Sequence, residues 1–311
     1  MKHKHFLERA LELAERGRGT THPNPVVGAV VVRGGETVGE GWHERAGGPH
    51  AEVVALEQAG ERARGATLYV TLSPCSHHGR TPPCVDAVAR AGVARVVVGA
   101  VDPTRDDLAA LRSAGVEVEL ADSWEARQLN EAWLTWATRE RPFVTYKVAV
   151  SLDGRVTVPG SRWVSGEESR RVVHDLRARS DAVAVGMGTF RADSPELTAR
   201  GVDAPRQPRR LVFGSGPVPE GFELVTGPLE EELRRLSGEG VQSLLLEGGP
   251  TLATGFLAND LVDKLLLFVA PAISGSGPRW VGELPEPLHL TRFTVEPVGD
   301  DVLLTAYVHE P

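Results

Sequence analysis

Cysteine is scarce in this chain of 311 residues, which contains only Cys75 and Cys84. A scaffold held together by several disulfides is therefore excluded. The chain also lacks a run of about 20 apolar residues, which a transmembrane helix would need. Basic charge is in the minority, and the net charge of −8 argues against non-specific binding to nucleic acid, which requires a positive surface.

The first segment, MKHKHFLERALELAERG, has charges that interrupt any apolar stretch, so we do not expect a secretory signal peptide. Its residues Phe6, Ala10, Leu13 and Ala14 recur at helical spacing and predict an amphipathic helix. We expect a cytoplasmic protein, in which thiols stay reduced. A disulfide between the two cysteines is then disfavoured, and inert buried thiols or a metal site remain as interpretations.

The length favours two domains, each of which alternates strands with helices, so the expected class is α/β. We place the boundary near Pro142, after SWEARQLNEAWLTWATRERP, which predicts one closing helix of the first domain. The predicted domains are therefore residues 1–142 and 143–311. In the second, SGEESRRVVHDLRA predicts a helix that starts with a capping box from Ser165 to Glu168.

The two cysteines lie downstream of a His-Ala-Glu sequence, and this order favours a zinc site. His50 and Cys84 are each expected at the start of a helix, where the partial positive charge favours thiolate over thiol. With Cys75 they provide three ligands, and a catalytic zinc site keeps the fourth place for water. Glu52 lies in the first turn after His50 and is the expected proton shuttle. Zinc deaminases of nucleobases carry His-x-Glu followed by Pro-Cys-x-x-Cys, but here eight residues separate the cysteines.

Other interpretations of these residues remain open from the pattern alone. His-x-Glu occurs often by chance, and buried cysteines are often only small apolar side chains. His77 or His78 would complete a structural site with four ligands. Arg80 would be an ordinary solvated loop charge, and Asn24 a turn residue between two prolines.

The first part of the chain resembles the deaminase half of the bifunctional riboflavin-biosynthesis deaminase/reductase family. The resemblance covers roughly residues 20 to 103, through HPNPVVG, GEGWHERAGGPHAE, TLSPCSHHGRTPPC and GVARVVVGAVDP. It implies a cytidine-deaminase-like α/β/α sandwich, a zinc ion on His50, Cys75 and Cys84, and proton transfer by Glu52. The resemblance also implies a set of residues that line the substrate pocket, with Arg80 near a phosphate: Asn24, His43, His77, Arg80 and Asp102.

The chain departs from this family after Asp102. The family usually continues Asp-Pro-Asn-Pro and then a glycine-rich stretch, whereas this chain has Thr104 in place of the asparagine and a shorter loop. A substrate contact at position 104 is therefore in question, although no zinc ligand is lost.

The second part lacks a Gly-x-Gly-x-x-Gly dinucleotide motif, since Arg191 stands where VGMGTFRAD would need its third glycine. Its best candidate for phosphate binding is LLLEGGPTLATG, where glycines lead from a strand into a helix. A plain tight turn is the alternative for this stretch.

This second part resembles the reductase half of the same family, through KVAVSLDGR, GSRWVS, RVVHDLRARSDAVAVGMGTFRADSPELTAR and EGGPTL. The resemblance spans roughly residues 147 to 255 and implies a dihydrofolate-reductase-like fold that uses NADPH. It implies cofactor contacts at Val150, Trp163, Thr189, Asp193, Ser215, Gly249, Pro250, Thr251 and Gly255. It implies contacts to the ribose phosphate substrate at Ser161, Arg177, Leu197, Arg200 and Glu247. The family usually has Asp-Asp-Pro where this chain has Asp193-Ser194-Pro195.

The activity implied is deamination of 2,5-diamino-6-ribosylamino-4(3H)-pyrimidinone 5′-phosphate, followed by NADPH-dependent reduction of the ribosyl group to ribityl. The expected partners are these small molecules, with no nucleic acid and no membrane. We also expect a homo-oligomer, a dimer or a tetramer, although the sequence does not determine which. The main alternative is another zinc deaminase of nucleosides or bases with a non-catalytic C-terminal domain. A zinc-stapled binding protein without chemistry is a second alternative.

Overall fold

The computed structural model of the protein describes residues 4–79 and 81–311. The chain divides into two compact units: the first ends at Thr138 and the second runs from Arg139 to Glu310. This division lies a few residues before the boundary predicted at Pro142. The predicted domains, 1–142 and 143–311, and the activity assigned to each remain predictions.

The first unit is a five-stranded sheet with helices on both faces. Its helices are α1 (Lys4–Glu15), α2 (Ala51–Ala59), α3 (Cys84–Ala91), α4 (Asp107–Ser113), α5 (Trp124–Leu129) and α6 (Glu131–Arg139), the last of which reaches the boundary. Its strands are β1 (Gly28–Arg33), β2 (Glu36–Trp42), β3 (Thr67–Leu72), β4 (Arg95–Ala100) and β5 (Glu117–Leu120), in the order β2-β1-β3-β4-β5. Strands β3, β4 and β5 run parallel, and β1 is antiparallel to both of its neighbours.

Side chains along β1 point alternately to the two faces of the sheet, so this strand contributes to a core cluster on each face. Ala29 and Val31 join the core cluster beneath α2 and α3, whereas Val30 and Val32 join the one beneath α1. The fold is therefore the α/β/α sandwich that the sequence predicted.

Helix α2 packs unusually close to the sheet because β2 carries glycine where the two meet. A Cβ atom on Gly41 would lie 2.5 Å from the carbonyl oxygen of Ala51, and one on Gly39 would clash with that of Ala55. Any side chain at these glycines would push the helix outward. The close approach holds the start of α2, and with it His50 and Glu52, against the end of the sheet.

The closing helix predicted between Ser123 and Arg141 is broken into α5 and α6 at Asn130. The Asn130 side chain is buried, accepts a hydrogen bond from the Val26 backbone N–H at 3.0 Å and donates to the Val26 carbonyl at 2.9 Å. A single continuous helix was the wrong prediction, because this buried amide satisfies a distant backbone segment.

The second unit is an eight-stranded mixed sheet flanked by helices. Its helices are α7 (Glu167–Arg179), α8 (Met187–Asp193), α9 (Leu229–Gly238) and α10 (Pro250–Ala258). Its strands are β6 (Phe143–Ser151), β7 (Ala182–Gly186), β8 (Arg209–Phe213), β9 (Glu223–Val225), β10 (Ser243–Leu246), β11 (Lys264–Ala270), β12 (Thr291–Val298) and β13 (Asp301–Tyr307). The order is β12-β13-β11-β6-β10-β7-β8-β9, parallel from β11 to β9 and antiparallel at the β12–β13 edge.

The capping box predicted at the start of α7 is not formed. The N-cap residue is Gly166, which has no side chain to cap the helix. Asp301, from β13, takes over this role: its Oδ2 accepts hydrogen bonds from the Gly166 N–H at 2.7 Å and from the Ser169 hydroxyl at 2.6 Å. A carboxylate from a distant strand thus stabilises the positive end of the helix.

Within the described ranges, no helix combines the length and the apolar character that crossing a membrane requires.

Candidate active sites

The three predicted zinc ligands come together in the first unit. His50 precedes α2, Cys84 begins α3, and Cys75 lies in the loop that follows β3. His50 Nδ1 lies 3.2 Å from Cys84 Sγ and 3.6 Å from Cys75 Sγ, and all three donor atoms are within 4.8 Å of one another. Around a tetrahedral zinc ion, with bonds of about 2.0 Å to nitrogen and 2.3 Å to sulfur, N···S separations are about 3.5 Å. The residues therefore fit zinc.

The charge state of the two thiols also suits a metal. The hydrogen bond from Cys84, supported by His50, lowers the pKa of Cys75 to about 4. The same pairing and burial raise the pKa of Cys84 well above its usual range. Both cysteines are free, so the disulfide interpretation is wrong. These shifts favour the thiolate form of Cys75, and a bound cation would also favour the thiolate of Cys84.

Thr81 was missed as a functional residue. Its hydroxyl lies 3.3 Å from Nε2 of His50, the ring nitrogen that points away from the cysteines. A hydrogen bond at that nitrogen fixes the tautomer and the ring orientation of a metal ligand. The only signal in the sequence is its position between the two cysteines, which does not specify a contact to His50.

Glu52 is 3% exposed and lies in the first turn of α2. Burial raises its pKa to about 7. A carboxyl group with a pKa near neutrality both accepts and donates protons readily, as an acid–base catalyst must.

His43 and Asn24 lie next to the ligand trio. The His43 ring is 5.2 Å from that of His50, and its Nε2 is 3.2 Å from Asn24 Nδ2. Burial lowers the pKa of His43, and its Nδ1 lies 2.9 Å from the Pro49 carbonyl oxygen. A neutral ring that donates from Nδ1 keeps Nε2 as an acceptor for the Asn24 amide.

The other residues predicted to line the substrate pocket are His77, Asp102 and Arg80. His77 has a buried Nδ1 with no hydrogen-bond partner among the described residues, and neither it nor His78 belongs to the group of metal donors found there. Asp102 Oδ1 accepts hydrogen bonds from the backbone and hydroxyl of Thr104, at 2.8 and 2.6 Å. Arg80, predicted near the phosphate, lies outside the described residues.

A second polar cluster lies in the second unit, where three long side chains meet. Arg177, on α7, donates two hydrogen bonds to the Glu247 carboxylate at 2.6 and 2.9 Å. Lys147, on β6, places its Nζ 3.7 Å from the same carboxylate. The side chains of Arg177, Glu247 and Lys147 are 12%, 10% and 15% exposed.

The electrostatics of this cluster favour a charged Glu247. Although burial opposes ionisation, the cations of Lys147 and Arg177 lower the pKa of Glu247. Burial lowers the pKa of Lys147, against the attraction of Glu247. Two cations therefore share one anion, so the cluster suits a further negative charge. Lys147 was quoted in a motif but not predicted as a site residue, because a lone lysine in a strand carries no spacing signal.

The glycine-rich turn ahead of α10 fits a phosphate-bearing cofactor. Gly249 is the N-cap of α10 and donates its N–H to the Thr189 hydroxyl at 3.0 Å. The helix starts with Pro250 and Thr251, without a side-chain cap and without an acidic residue in its first turn. Backbone N–H groups at such a start bind anions. Gly255 lies about one and a half turns further along the same helix.

Two of the predicted contact residues have buried side chains. Leu197 is 1% exposed and packs in a core cluster with Val183 and Met187, and its φ of 55° is left-handed. Val150 is 2% exposed and lies in the main core of the unit. These two positions therefore present backbone, not side chain, to any ligand.

The remaining predicted residues lie at the surface. Trp163 is 54% exposed, with the guanidinium groups of Arg162 and Arg170 at 5.1 and 5.3 Å from its ring. Ser161 donates its hydroxyl hydrogen to the Trp163 carbonyl at 2.7 Å. Three others are exposed without a common contact, namely Asp193, Arg200 and Ser215.

These two sites define an α/β enzyme that joins a zinc-dependent deaminase to a reductase. The family model for the "cytidine and deoxycytidylate deaminase zinc-binding region" matches residues 1–100, and that for the "RibD C-terminal domain" matches residues 142–304. The chain belongs to the RibD family of bifunctional riboflavin-biosynthesis enzymes.

Relatives along the whole chain support this membership. The riboflavin biosynthesis protein RibD of Aquifex aeolicus is 42% identical and that of Escherichia coli 41%, with 97% and 92% of both chains covered. Among solved structures, Acinetobacter baumannii RibD has a TM-score of 0.84 at 36% identity. A diaminohydroxyphosphoribosylaminopyrimidine deaminase/5-amino-6-(5-phosphoribosylamino)uracil reductase from Thermotoga maritima has 0.86 at 34%. Each covers 98% of both chains.

The family resemblance predicted from the sequence is therefore confirmed, together with the fold class. The protein is a hydrolase that deaminates a pyrimidine and an oxidoreductase that reduces the product, with zinc and NADPH as cofactors. A zinc deaminase with a non-catalytic C-terminal domain is not favoured, because the C-terminal match is to a reductase domain.

Proposed function

We propose that the first unit deaminates its substrate with His50, Cys75 and Cys84 as zinc ligands and with Glu52 as the group that moves protons. The observation that carries this assignment is the pair of N···S separations between His50 and the two cysteines, which are close to those around a tetrahedral zinc ion, beside a buried carboxyl group. Zinc, when bound, supplies Lewis-acid activation of a water molecule. Three protein ligands are the number typical of a catalytic zinc site.

Glu52 has two proton transfers to perform. Deamination replaces the ring amino group with the oxygen of water, so one proton of the water goes to the ring nitrogen and the other to the departing ammonia. A single carboxyl group accomplishes both steps if it takes each proton from the oxygen and returns it to a nitrogen. Its pKa of about 7, raised by burial, makes both directions accessible near neutral pH.

The proposed substrate pocket contains Asn24, His43, His77 and Asp102, with Arg80 as the partner of the phosphate. The contact between Asn24 and His43, beside the ligand ring of His50, supports their place in this set. Thr104 orients the Asp102 carboxylate through two hydrogen bonds. We propose that this replaces the direct substrate contact of the usual asparagine.

In the second unit, we propose that Glu247, Arg177 and Lys147 hold the ribose end of the deaminated substrate. Reduction breaks the bond between C1′ and the ring oxygen, adds a hydride to C1′ and adds a proton to that oxygen. NADPH supplies the hydride. The Lys147 ammonium group, whose pKa is lowered by burial, is the candidate source of the proton, and Glu247 keeps it oriented. The hydroxyl of Ser161, the guanidinium of Arg200 and the backbone of Leu197 complete the proposed substrate set.

We propose that NADPH lies against the glycine-rich turn at Gly249. The uncapped start of α10, with Pro250 and Thr251, supports binding of its diphosphate there. The other proposed cofactor contacts are Val150 through its backbone, Trp163, Thr189, Asp193, Ser215 and Gly255.

Zinc content tests the proposed metal site. We expect one zinc ion per chain in the full-length protein, none in His50→Ala, and full occupancy in the matched variant His43→Ala, which removes a neighbouring histidine. Elemental analysis gives the answer without an activity assay. A His50→Ala protein that keeps its zinc would contradict the ligand assignment.

We also propose a homo-oligomer, a dimer or a tetramer, formed through the β12–β13 edge of the second unit. Phe293 and Val295 on β12 are 60% and 58% exposed, and Val302 on β13 is 37% exposed. An apolar edge strand is a surface that a second copy would cover. Light scattering should show a smaller particle for Val295→Lys than for the natural chain.

The cytoplasmic location also stays a proposal, supported by the two free cysteines.

A further inference from the structure

Asp107 is a buried carboxylate that the proposed reactions do not use. It is the first residue of α4, yet only 1% of it is exposed. Capping of this helix is performed by its neighbour Asp106, which accepts a hydrogen bond from the Ala109 N–H at 3.2 Å. The Asp107 side chain therefore serves another purpose, since an unneeded carboxylate would cost free energy when buried.

Its contacts all lead to the loop that carries Cys75. Asp107 Oδ1 accepts hydrogen bonds from the Ser76 backbone N–H at 3.0 Å and from the Ser76 hydroxyl at 2.6 Å. Its Oδ2 accepts from the Ser73 hydroxyl at 3.3 Å. One carboxylate thus holds both ends of the four-residue segment Ser73–Ser76, in which Cys75 is the metal-binding residue.

The same network reaches the expected substrate side. The Ser73 hydroxyl oxygen accepts a hydrogen bond from the Asp102 backbone N–H at 2.9 Å. The Ser73 backbone N–H is held by the carbonyl of Ala100 at 2.9 Å. Asp107 therefore connects, through Ser73, the loop of one proposed zinc ligand with the backbone of a proposed substrate residue.

We propose that Asp107 is a positioning residue of the zinc site. It holds the Ser73–Ser76 segment so that Cys75 Sγ stays in place opposite His50 Nδ1 and within reach of the Cys84 N–H, at 3.6 and 3.4 Å. This inference rests on the proposed function of His50, Cys75 and Cys84 as ligands. Two serines and a backbone amide compensate its charge, which makes the anchor rigid.

The test compares Asp107→Ala with Asp107→Asn and with the matched variant Asp106→Ala, all in the full-length protein. Zinc affinity is measured by competition with a chelator, and the cobalt(II)-substituted protein provides the thiolate-to-metal absorption band. Outer contacts of metal ligands typically contribute about 10- to 100-fold to metal affinity. We expect a loss in this range and a shifted cobalt band for Asp107→Ala. Asp107→Asn should lose less, because the amide oxygen still accepts from Ser76.

Asp106→Ala separates positioning from simple loss of α4. It removes the cap, which costs about 1 kcal/mol of stability, but should leave zinc affinity and the cobalt band unchanged. Equal losses in Asp106→Ala and Asp107→Ala would overturn the proposal, as would an Asp107→Ala protein with unchanged affinity and spectrum. If Asp107→Ala fails to fold, Asp107→Asn and Ser76→Ala decide: both must weaken zinc binding, and unchanged binding in both would overturn it.

Zinc analysis of Cys84→Ala keeps this inference separate from the proposed function. Full zinc in Cys84→Ala would contradict the ligand set itself. Loss of zinc there, together with unchanged binding in the Asp107 variants, would overturn only the positioning role.

Discussion

The two units build their sites in different ways. In the first, the proposed metal ligands and the proposed proton-transfer group fall between His50 and Cys84, at the starts of two helices and in one intervening loop. In the second, Lys147 comes from strand β6, Arg177 from helix α7 and Glu247 from the turn that follows β10. Metal chemistry needs specific donor atoms, so its residue types are recognisable in the chain. A cluster of ordinary charged residues becomes a site only when the fold brings it together.

The two sites also differ in the pKa of their buried carboxyl groups. In the first unit, burial raises the pKa of Glu52 to about 7. The second keeps its buried carboxylate, Glu247, ionised with two cations. In the first site the buried carboxyl group is therefore close to its midpoint of protonation at neutral pH, whereas in the second site it remains charged.

The strongest expected effect is complete loss of one activity without the other. Cys84→Ala removes a ligand, so we expect no measurable deamination, while NADPH-dependent reduction of substrate supplied already deaminated continues at the natural rate. Parallel turnover assays on the full-length variant measure both. Loss of both activities, in a variant whose circular dichroism spectrum is that of the folded protein, would contradict independent sites in the two units.

A smaller effect is expected for Glu52→Gln, which is nearly isosteric but cannot accept a proton. Deamination should fall about 10²–10⁴-fold, the usual contribution of an acid–base catalyst. Zinc content should stay at one ion per chain, which distinguishes lost proton transfer from a lost metal. A deaminase rate within a few-fold of the natural enzyme would contradict the role of Glu52.

Glu247→Gln tests the charged cluster of the second unit. Hydrogen bonds to charged groups contribute about 1.5–3 kcal/mol, so reductase kcat/KM should fall roughly ten- to a hundredfold, with deamination unchanged. The matched variant is Glu230→Gln, whose carboxylate pairs with Arg234 at the surface and which should have little effect. An equal fall in reductase kcat/KM in the two variants would show that the buried carboxylate of Glu247 has no special role.

Trp163→Ala should produce the smallest change. Aromatic ring contacts contribute about 0.5–1.5 kcal/mol, so loss of the proposed ring contact should raise the KM for NADPH about two- to tenfold with kcat preserved. Steady-state kinetics with varied NADPH measure it, and Trp136→Ala, in the first unit, provides a control. A change in kcat alone would place Trp163 outside the cofactor site.

Local patterns predicted correctly where the helices of the first candidate site begin. Proline is disfavoured inside a helix but tolerated at its start, so Pro82 and Pro83 predict that a helix begins near them. Helix α3 begins at Cys84, as expected. His50 directly precedes α2, and Glu52 lies in its first turn. Such features depend on steric and hydrogen-bonding preferences of neighbouring residues, which the sequence specifies directly.

Other features depended on distant partners and were predicted wrongly or missed. The break at Asn130 exists because its amide pairs with the Val26 backbone, and α7 needs no capping box because Asp301 supplies the carboxylate. Thr81 and Lys147 were overlooked for the same reason. Neither a threonine in a loop nor a lysine in a strand indicates which side chain it will meet.

By itself, therefore, the sequence determined the α/β class and the starts of α2 and α3, where the proposed zinc ligands His50 and Cys84 lie, because these depend on residue type and short-range spacing. Only the tertiary structure decided that Asp107 holds both ends of the Cys75 loop and that Lys147, Arg177 and Glu247 share one buried cluster. The physical reason is that a buried polar side chain must find its partner wherever the packed chain places one. That partner is set by the packing of whole elements, such as α2 against Gly41 of β2.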